Sequence, residues 1–206
     1  GVNCFSITLE QAEARPESVG KPLLHAEAAV RREDGTPCAP GEVGELTLRG
    51  PHVFSGYFER PEATADALRG GWLWTGDLAA TDEDGFCTIR GRRKEMFISG
   101  GENVFPSEVE SCLYDHPAVA ECAVLGVEDE RWGEVGLAVV VLRPGLVATP
   151  EELSRHMRER LARYKVPKHV EVATELPKSG AGKILKTALR QRFEAEHGAK
   201  AAGGDA

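Results

Sequence analysis

The chain has 206 residues, of which 41% are hydrophobic, enough to bury the core of one large domain or of two small ones. Its 25 Lys and Arg residues against 33 Asp and Glu residues give a formal charge of -8, which disfavours nucleic acid or an anionic membrane as an overall partner. Five cysteines without a CxxC spacing, and no recognisable secretory leader, predict a cytoplasmic protein. No apolar run approaches the roughly 20 residues of a membrane-spanning helix.

The first residues, Gly1 to Phe5, lie within an apolar stretch and lack an initiator Met, so we expect a piece of a longer protein. Residues up to 90 carry short runs typical of strands, separated by Asp-Gly and Pro-Gly pairs typical of turns. The predicted strands are 26–32, 43–49 and 86–90. This first part is therefore predicted to be rich in β-structure, as part of a barrel would be.

A different pattern begins near Met96, where apolar runs with the period of strands alternate with runs that have the period of helices. The predicted strands are 96–99, 119–127 and 136–142, and the predicted helices are 106–115, 150–163 and 184–196. An α+β unit of about a hundred residues is therefore predicted to follow the β-rich part. The chain ends in the small and polar stretch GAKAAGGDA, and we expect a flexible tail.

The helix from Pro150 has the clearest boundary signals, because Thr149 and Glu152 can form a capping box and Pro suits the first helical position. A buried stripe at four-residue spacing is predicted for Leu153, Met157 and Leu161. The arginines at 155, 158 and 160 lie off that stripe, so we interpret them as a solvated face.

Asp77 lies in a Thr-Gly-Asp sequence between apolar segments. A rigidly held carboxylate there could accept both hydroxyls of a ribose 2′,3′-diol. The alternative is a β-turn Asp that bonds its own backbone, and the turn taken alone favours this second interpretation.

Lys183 follows a Gly-rich loop and is predicted to open a helix. The loop is not the phosphate-binding loop of nucleotide-binding proteins, because Pro177 and Ile184 stand where that motif needs Gly and Ser or Thr. An ammonium on a mobile loop could still stabilise negative charge on an oxyanion or phosphate. The alternative, a solvated surface lysine, is favoured by the loop alone.

A zinc site is not indicated by the sequence. Cys112 and His116 are four residues apart on a predicted helix, but no third or fourth ligand is spaced nearby. No Ser elbow or Cys nucleophile signature appears either. The three tryptophans are interpreted as core or turn residues by default.

Six stretches taken together are far more specific than any one of them. GEVGELTLRGPHVFSGYFERPEAT, WLWTGD, GRRKEMFISGGENVFPSEVE, HPAVAECAVLGVEDERWGE, YKVPKHVEV and LPKSGAGKILK jointly resemble the C-terminal portion of the adenylate-forming enzymes. That superfamily contains acyl-CoA synthetases, adenylation domains of peptide synthetases and beetle luciferases. The resemblance covers about Ser18 to Arg190 and is closest to fatty-acid-type acyl-CoA ligases, since GVNCFSI resembles the stretch that follows their adenine-side motif.

The resemblance implies an α+β fold with a defined domain order. Residues 1–90 would be the β-rich, partial-barrel end of a large N-terminal domain, and 91–95 the hinge. Residues 96–193 would form a small α+β lid, and 194–206 a flexible tail. The charge of the hinge then reflects a solvated joint whose backbone must reorient. The loop that binds the ATP triphosphate and most of the acyl pocket would lie upstream.

The same resemblance implies roles for single residues. Asp77 and Arg92 would hold the ribose of the nucleotide, and Lys94 would be the hinge residue. Lys183 would neutralise charge between the substrate carboxylate and the α-phosphate. The turn at Gly100 and Gly101 would line the tunnel for the pantetheine arm of CoA, because glycine allows close approach.

Two half-reactions are implied, which use ATP, Mg²⁺ and coenzyme A. A fatty or aryl carboxylic acid would first become acyl-AMP, and the CoA thiol would then displace AMP after the lid has rotated. Tyr164 would stack on the CoA adenine, Lys165 and Lys168 would contact its phosphates, and Trp132 would wall the channel. Plain packing explains Tyr164 and Trp132 equally well.

Three alternatives remain open at this point. The protein could be an adenylation domain that loads a carrier protein, a luciferase-like oxidase, or a non-catalytic nucleotide-binding fragment. We expect the 206 residues by themselves to be inactive as a ligase. Pro177 and the Gly182-Lys183 pair also fit a pattern at which relatives are acetylated, so a lysine acetyltransferase is an expected partner.

Overall fold

The structure of the protein is a computed structural model that describes residues 4–201, with side chains as far as His197. The chain divides into two compact units, the first ending at Lys94 and the second beginning at Glu95. The first is rich in strands and the second is α+β, so the predicted fold class is confirmed. The start of the GVNCFSI stretch and residues 202–206 of the predicted tail lie outside the described residues.

The first unit is a curled sheet of seven strands, all paired antiparallel, with two short helices. Its strands lie in the order β1-β2-β7-β6-β4-β3, and β5 pairs with β6. The strands are β1 (Phe5–Ser6), β2 (Ser18–Pro22), β3 (Glu27–Arg31), β4 (Gly44–Arg49), β5 (Leu68–Arg69), β6 (Trp72–Thr81) and β7 (Cys87–Arg92), and the helices are α1 (Leu9–Ala14) and α2 (Pro61–Ala67).

The three strands predicted in this unit are present as β3, β4 and β7, and the Asp-Gly and Pro-Gly turns between them have the positive φ that glycine permits. The longest strand of this unit, β6, was not predicted. Its Thr-Gly-Asp sequence breaks the alternation of apolar residues on which such a prediction rests. Asp77 consequently lies within a strand, and its interpretation as a β-turn residue is wrong.

The second unit is built on a mixed sheet of five strands. Its elements are β8 (Phe97–Ser99), β9 (Glu102–Val104), α3 (Pro106–Tyr114), β10 (Val119–Asp129), β11 (Gly133–Leu142), α4 (Pro150–Arg158), a 3₁₀ turn (Arg163–Lys165), β12 (His169–Ala173) and α5 (Lys186–Ala201). The strand order is β10-β11-β8-β9, and β12 pairs parallel with β11. The central pair is the long β10–β11 hairpin, which is antiparallel over its whole length.

This hairpin is buried on both faces, because its residues point alternately into two cores. On one face, side chains such as Val124 and Val140 pack with α3 and α4. On the other, Leu137 and its neighbours pack with Leu189 and Phe193 of α5. The near-continuous apolar sequence of both strands follows from this two-sided burial.

Helix α4 begins as predicted, since the Thr149 side chain and Glu152 form both bonds of a capping box. Leu153 and Met157 are fully buried, and the three arginines are exposed. The helix ends at Arg158 rather than 163, although Leu161 still packs against the same core.

The last helix begins two residues later than predicted and continues to Ala201, through eight residues that the sequence assigned to the tail. Leu189 and Phe193 anchor its first turns in the core. Helix propagation from an anchored segment costs little, which explains why small residues beyond it remain helical. Within residues 4–201, no helix has both the length and the apolar character needed to cross a bilayer.

Replacing Thr149 by Ala is expected to lower the free energy of unfolding by about 1 kcal/mol, because the backbone N–H of Glu152 loses its capping acceptor. Urea denaturation of the chain measures this change. The exposed helical Thr187 is the matched control, and its replacement by Ala is expected to change stability by less than about 0.5 kcal/mol. Equal effects of the two substitutions would contradict the assigned cap.

Candidate functional site

The first candidate site is an ion pair between Asp77 of β6 and Arg92 of β7. Arg92 Nε lies 2.7 Å from Asp77 Oδ1, and the two residues are direct neighbours across the strands. The Asp77 side chain is 27% exposed and the Arg92 side chain 60% exposed, so the pair is reachable from solvent. The two residues that the family resemblance assigns to the ribose are therefore together.

A bulge in β7 creates this pairing. From Thr81–Cys87 to Ala79–Ile89 the register is regular, but Leu78 then faces Gly91. The extra residue in β7 shifts every later pair by one position. Without the bulge, Asp77 would face Gly91 instead of Arg92. Because a shift of one residue sends side chains to the opposite face, the bulge determines that Arg92 shares a face with Asp77.

A second irregularity, in β6, displaces Asp77 from the regular ladder with β4. The pairing shifts between Glu45 and Thr47, at the position of Thr75, Gly76 and Asp77. Thr75 donates its hydroxyl to the carbonyl of Leu46 at 2.8 Å, and its oxygen accepts the Asp77 N–H at 3.1 Å. Gly76 has φ 74°, a value that glycine adopts without strain.

Glu45 is the buried residue that supports this bulge. Its side chain is 8% exposed, and Oε1 accepts the N–H of Gly76 at 3.0 Å. Its Oε2 lies 3.1 Å from Arg93, whose backbone N–H donates to the carbonyl of Gly76 at 2.8 Å. Arg93 also contacts Glu33 at 2.7 Å. A buried carboxylate must be paired to be tolerated, so Glu45 and Arg93 fix the backbone next to Asp77.

Burial raises the pKa of Asp77 above its ordinary value of 3.8, and the charge of Glu45 adds to this effect. The Arg92 guanidinium acts in the opposite direction without reversing it. The native fold thus holds this carboxylate in an environment that is less favourable than water. Carboxylates whose ionised form is disfavoured in this way are common at binding sites. Together, the Asp77 carboxylate and the Arg92 guanidinium offer hydrogen-bond acceptors and donors to a diol.

The second candidate site is a cleft of about 690 Å³ in the second unit. Four of the six residues predicted to contact CoA line it: Gly100, Trp132, Tyr164 and Lys168. Gly101 belongs to the same hairpin turn but is not among the lining residues. The two glycines have φ 60° and 89°, as the two-residue turn between β8 and β9 requires.

The turn of the long hairpin forms one wall of the cleft. Gly100 donates its N–H to the carbonyl of Trp132 at 3.1 Å, and a Cβ at Gly100 would lie 2.8 Å from the Trp132 ring. Asp129 holds the indole-bearing turn, because its Oδ1 accepts the N–H groups of Arg131 and Trp132 at 3.0 Å. Its other oxygen accepts from Lys168 at 2.6 Å.

Two arginines that the sequence analysis did not select, Arg131 and Arg163, also line this cleft. Arg131 stacks over the Trp132 ring at 4.9 Å, and both arginines directly precede an aromatic residue in sequence. That repeated basic-aromatic doublet was a signal that could have identified them. The cleft thus combines aromatic faces with cations, a composition suited to a nucleotide or a phosphorylated arm.

Lys165 is placed differently from its predicted role. Its ammonium bonds both carboxylate oxygens of Glu108, at 2.6 and 2.8 Å, and its side chain is 20% exposed. It is not among the residues that line the cleft. A lysine already neutralised in this way is a poor phosphate contact.

Lys183 is exposed on a loop whose shape is fixed mainly by backbone bonds. Ser179 donates its N–H to the carbonyl of Lys183 at 2.8 Å, and Leu185 donates to Pro177 at 2.8 Å. Lys178 and Ile184 form an isolated bridge. The loop precedes α5 by two residues, so Lys183 does not itself open the helix.

The Lys183 loop and the cleft lie at opposite ends of the β10–β11 hairpin. Lys178, in that loop, binds Glu121 at 2.7 Å, and Glu121 faces Val141 near one end of the ladder. The cleft lies beside Gly133, at the other end. Val141 is eight residues from Gly133 and five from Gly136, a cleft residue of the same strand, so the separation is about 16 to 26 Å at roughly 3.3 Å per residue.

Lys94 is exposed and lies in a turn at the boundary between the units. The predicted hinge of 91–95 overlaps β7, since Gly91 and Arg92 pair with Leu78 and Asp77. The strand therefore extends two residues further than predicted, and only residues after Arg92 are outside it.

Comparison with known proteins identifies the class. The family described as "AMP-binding enzyme" matches residues 1–58, and the "AMP-binding enzyme C-terminal domain" matches residues 108–183. The chain therefore belongs to the adenylate-forming superfamily of AMP-binding enzymes.

Similar curated proteins are acyl-CoA ligases. A feruloyl-CoA synthase from Amycolatopsis sp is 51% identical over 176 residues, which are 85% of this chain and 36% of that protein. A 2-succinylbenzoate–CoA ligase from Geobacillus kaustophilus is also 51% identical, over 84% of this chain and 35% of its own length. The chain thus spans about a third of the length of these relatives.

A solved structure of o-succinylbenzoate CoA synthetase from Bacillus subtilis, in complex with its acyl-adenylate intermediate, has a TM-score of 0.87 with this chain at 40% identity. The alignment covers 92% of this chain and 38% of that one. The same synthetase is also known in complex with ATP and a magnesium ion.

Replacing Asp77 by Asn is expected to raise the free energy of unfolding, by an amount that grows as the pH rises from about 3 through the raised pKa and then levels off. The unfolded chain ionises first, near 3.8, so ionisation favours the unfolded state; an amide removes that effect. Urea denaturation across the pH range measures the difference.

Asp34→Asn is the control with the opposite sign, because a hydrogen bond from Thr36 lowers the pKa of Asp34. Its ionisation stabilises the native state, so the variant is expected to lose stability relative to the wild type as the pH rises. A difference between Asp77→Asn and the wild type that does not depend on pH would refute the assigned environment of Asp77.

Replacing Gly100 by Ala is expected to destabilise the chain by at least about 1 kcal/mol more than replacing Gly101, because overpacking adds to backbone strain. Both positions have positive φ, which costs a Cβ-bearing residue about 1–2 kcal/mol. Only at Gly100 does the new methyl group meet the indole of Trp132, since a Cβ at Gly101 has nothing within 4 Å. Urea denaturation followed by tryptophan fluorescence compares the two, and equal losses would rule out the contact.

Proposed function

We propose that this chain serves as the C-terminal part of an ATP-dependent acyl-CoA synthetase, which activates a carboxylic acid as acyl-AMP and transfers the acyl group to CoA. The proposal rests mainly on one observation: the Lys183 loop and the cleft, which suit two different half-reactions, lie at opposite ends of one rigid hairpin. Family membership and the names of the similar ligases support it.

In the first half-reaction, Asp77 and Arg92 hold the ribose of ATP. The Asp77 carboxylate accepts the two hydroxyls, and the exposed Arg92 guanidinium donates to the sugar oxygens. The site is fixed before the ligand arrives, because Glu45 and Arg93 hold the neighbouring backbone. A fixed site loses less freedom on binding and therefore binds more tightly.

Lys183 acts on the reacting groups in the same step. The substrate carboxylate attacks the α-phosphate of ATP, and pyrophosphate leaves. The Lys183 ammonium neutralises the negative charge that accumulates between the two anions as they react. An exposed loop position lets the side chain approach a bound nucleotide. The similar synthetase solved in complex with ATP and a magnesium ion supports a metal-bound nucleotide as substrate. In residues 4–201, no group of three potential ligands could hold a metal, so we assign Mg²⁺ to no residue here.

In the second half-reaction, the lid turns about Lys94 and presents the cleft. The pantetheine arm passes Gly100 and the Trp132 wall, and the thiol displaces AMP from the acyl-AMP. Tyr164, Lys168 and the two cleft arginines contact the nucleotide end of CoA. Since about 16 to 26 Å along β11 separate the cleft from the Lys183 loop, one placement of the lid does not bring both to the reacting acyl group, and the two steps use two placements.

The acid is a fatty or aryl carboxylic acid. Feruloyl-CoA synthase and 2-succinylbenzoate–CoA ligase carry the names of aryl acids, and a long-chain-fatty-acid–CoA ligase from Bacillus subtilis is 46% identical. A carrier-protein thiol in place of CoA is the second candidate, and the cleft accepts the same pantetheine arm in either case. Cytoplasmic location and acetylation of Lys183 stay predictions of the sequence.

In the full-length enzyme that contains this chain, replacing Lys183 by Ala is expected to slow formation of acyl-AMP by about 10²- to 10³-fold, the effect of losing one preorganised charge. Release of pyrophosphate in a single turnover measures this step. Thioester formation from supplied acyl-AMP is expected to stay within about twofold. The matched control is Lys178→Ala, since Lys178 is an exposed lysine of the same loop. An equal loss in both half-reactions would show that Lys183 is structural.

A further inference from the structure

Lys186, the first residue of α5, is a largely enclosed lysine whose ammonium bridges two carboxylates. Its Nζ lies 2.7 Å from Glu95 Oε2 and 2.9 Å from Glu110 Oε1, and the side chain is 24% exposed. Glu110 Oε1 also accepts the backbone N–H of Val124 at 2.8 Å. One ammonium thus joins α5, α3, the central hairpin and the start of the second unit.

The position of these contacts in the chain connects two parts of the proposed mechanism. Glu95 is the first residue of the second unit and directly follows Lys94. Lys186 is three residues after Lys183. The segment that carries Lys183 is therefore tied, through one ion pair, to the point where the chain leaves the boundary between the units.

Helix stability does not explain this lysine. A cation in the first turn opposes the helix dipole, and α5 has no acidic residue in that turn to compensate. Burial also disfavours the charge of Lys186, but attraction by Glu110 and Glu95 outweighs it and raises the pKa of the ammonium. Lys186 therefore stays charged, and its removal would leave two carboxylates close together without a cation.

We propose that Lys186 is a positioning residue for the first half-reaction. Its ion pairs with Glu95 and Glu110 fix the position of the Lys183 loop relative to the segment that follows the hinge. This inference rests on the function proposed above. Backbone bonds, the packing of Ile184 and the exposed Lys178–Glu121 pair also restrain the loop. Lys186 is the nearest enclosed ion pair on the C-terminal side of Lys183, and we expect it to limit how far the Lys183 ammonium moves. A displacement of about 1 Å at a reacting group costs up to 10²-fold in rate.

The test uses the full-length enzyme with Lys186→Met, which keeps the aliphatic stem and removes the charge. The rate of acyl-AMP formation at saturating substrate is expected to fall about 10-fold. The KM for ATP and the rate of thioester formation from supplied acyl-AMP are expected to change little, whereas the melting temperature is expected to fall because two carboxylates lose their cation. Lys186→Arg, which retains a donor to both carboxylates, is expected to restore at least about half of the rate.

Lys178→Met is the matched control, since it removes an exposed ion pair with Glu121 from the same segment. Glu95→Gln provides a variant in which Lys186 stays paired with Glu110, and a selective loss of about threefold is expected there. The inference is overturned if Lys186→Met behaves like Lys178→Met. It is equally overturned if the two half-reactions slow to the same extent, because that pattern marks a purely structural role.

Lys183→Ala, measured in the same assay, separates this inference from the proposed function. If Lys183→Ala leaves acyl-AMP formation unchanged, the function assigned to the loop fails. If Lys183→Ala is slow and Lys186→Met is not, the function stands and only the positioning role fails.

Discussion

Burial of the β10–β11 hairpin on both faces is the constraint on which the second unit depends. Each strand places alternate side chains in two separate cores, so the hairpin cannot bend or slip without disturbing both. This makes it a stiff spacer. The Gly100 turn packs beside one end and the Lys183 loop is tied to the other. The hairpin thus keeps the Gly100 turn and the Lys183 loop apart. This separation supports a proposed reaction in two steps, each of which uses a different end of the second unit.

Residues held in ion pairs flank Lys94 on both sides. Arg93 is fixed within the first unit by Glu33 and the buried Glu45, and Glu95 is fixed within the second by Lys186. Each anchor removes freedom from the backbone next to Lys94. The proposed rotation is therefore confined to very few backbone angles, as hinges generally are. The same anchors serve the two sites, because Glu45 also supports the Asp77 bulge and Lys186 lies three residues from Lys183.

Asp77 lies in an energetically unfavourable environment, as a binding residue often does. Its environment disfavours the ionised form even beside Arg92, and the strand that carries it departs from the regular ladder. Two bulges and a buried carboxylate maintain this arrangement. Binding sites commonly retain such locally unfavourable features, since a carboxylate satisfied entirely by its own protein offers little to a ligand.

The sequence by itself determined the fold class, the capping box of α4, the turns of the first unit and, through the order of its motifs, the family. These signals are local, or they are carried by the identity of residues. The register of β6 and β7, the support of Asp77 by Glu45, and the placement of Lys165 on Glu108 were decided only by the tertiary structure. Each depends on residues that are distant in sequence and meet because strands pair and bulge, and no periodicity along a single segment encodes such a meeting. The extent of α5 was missed for a related reason: packing of Leu189 and Phe193 against the sheet, rather than the propensity of its small residues, nucleates that helix.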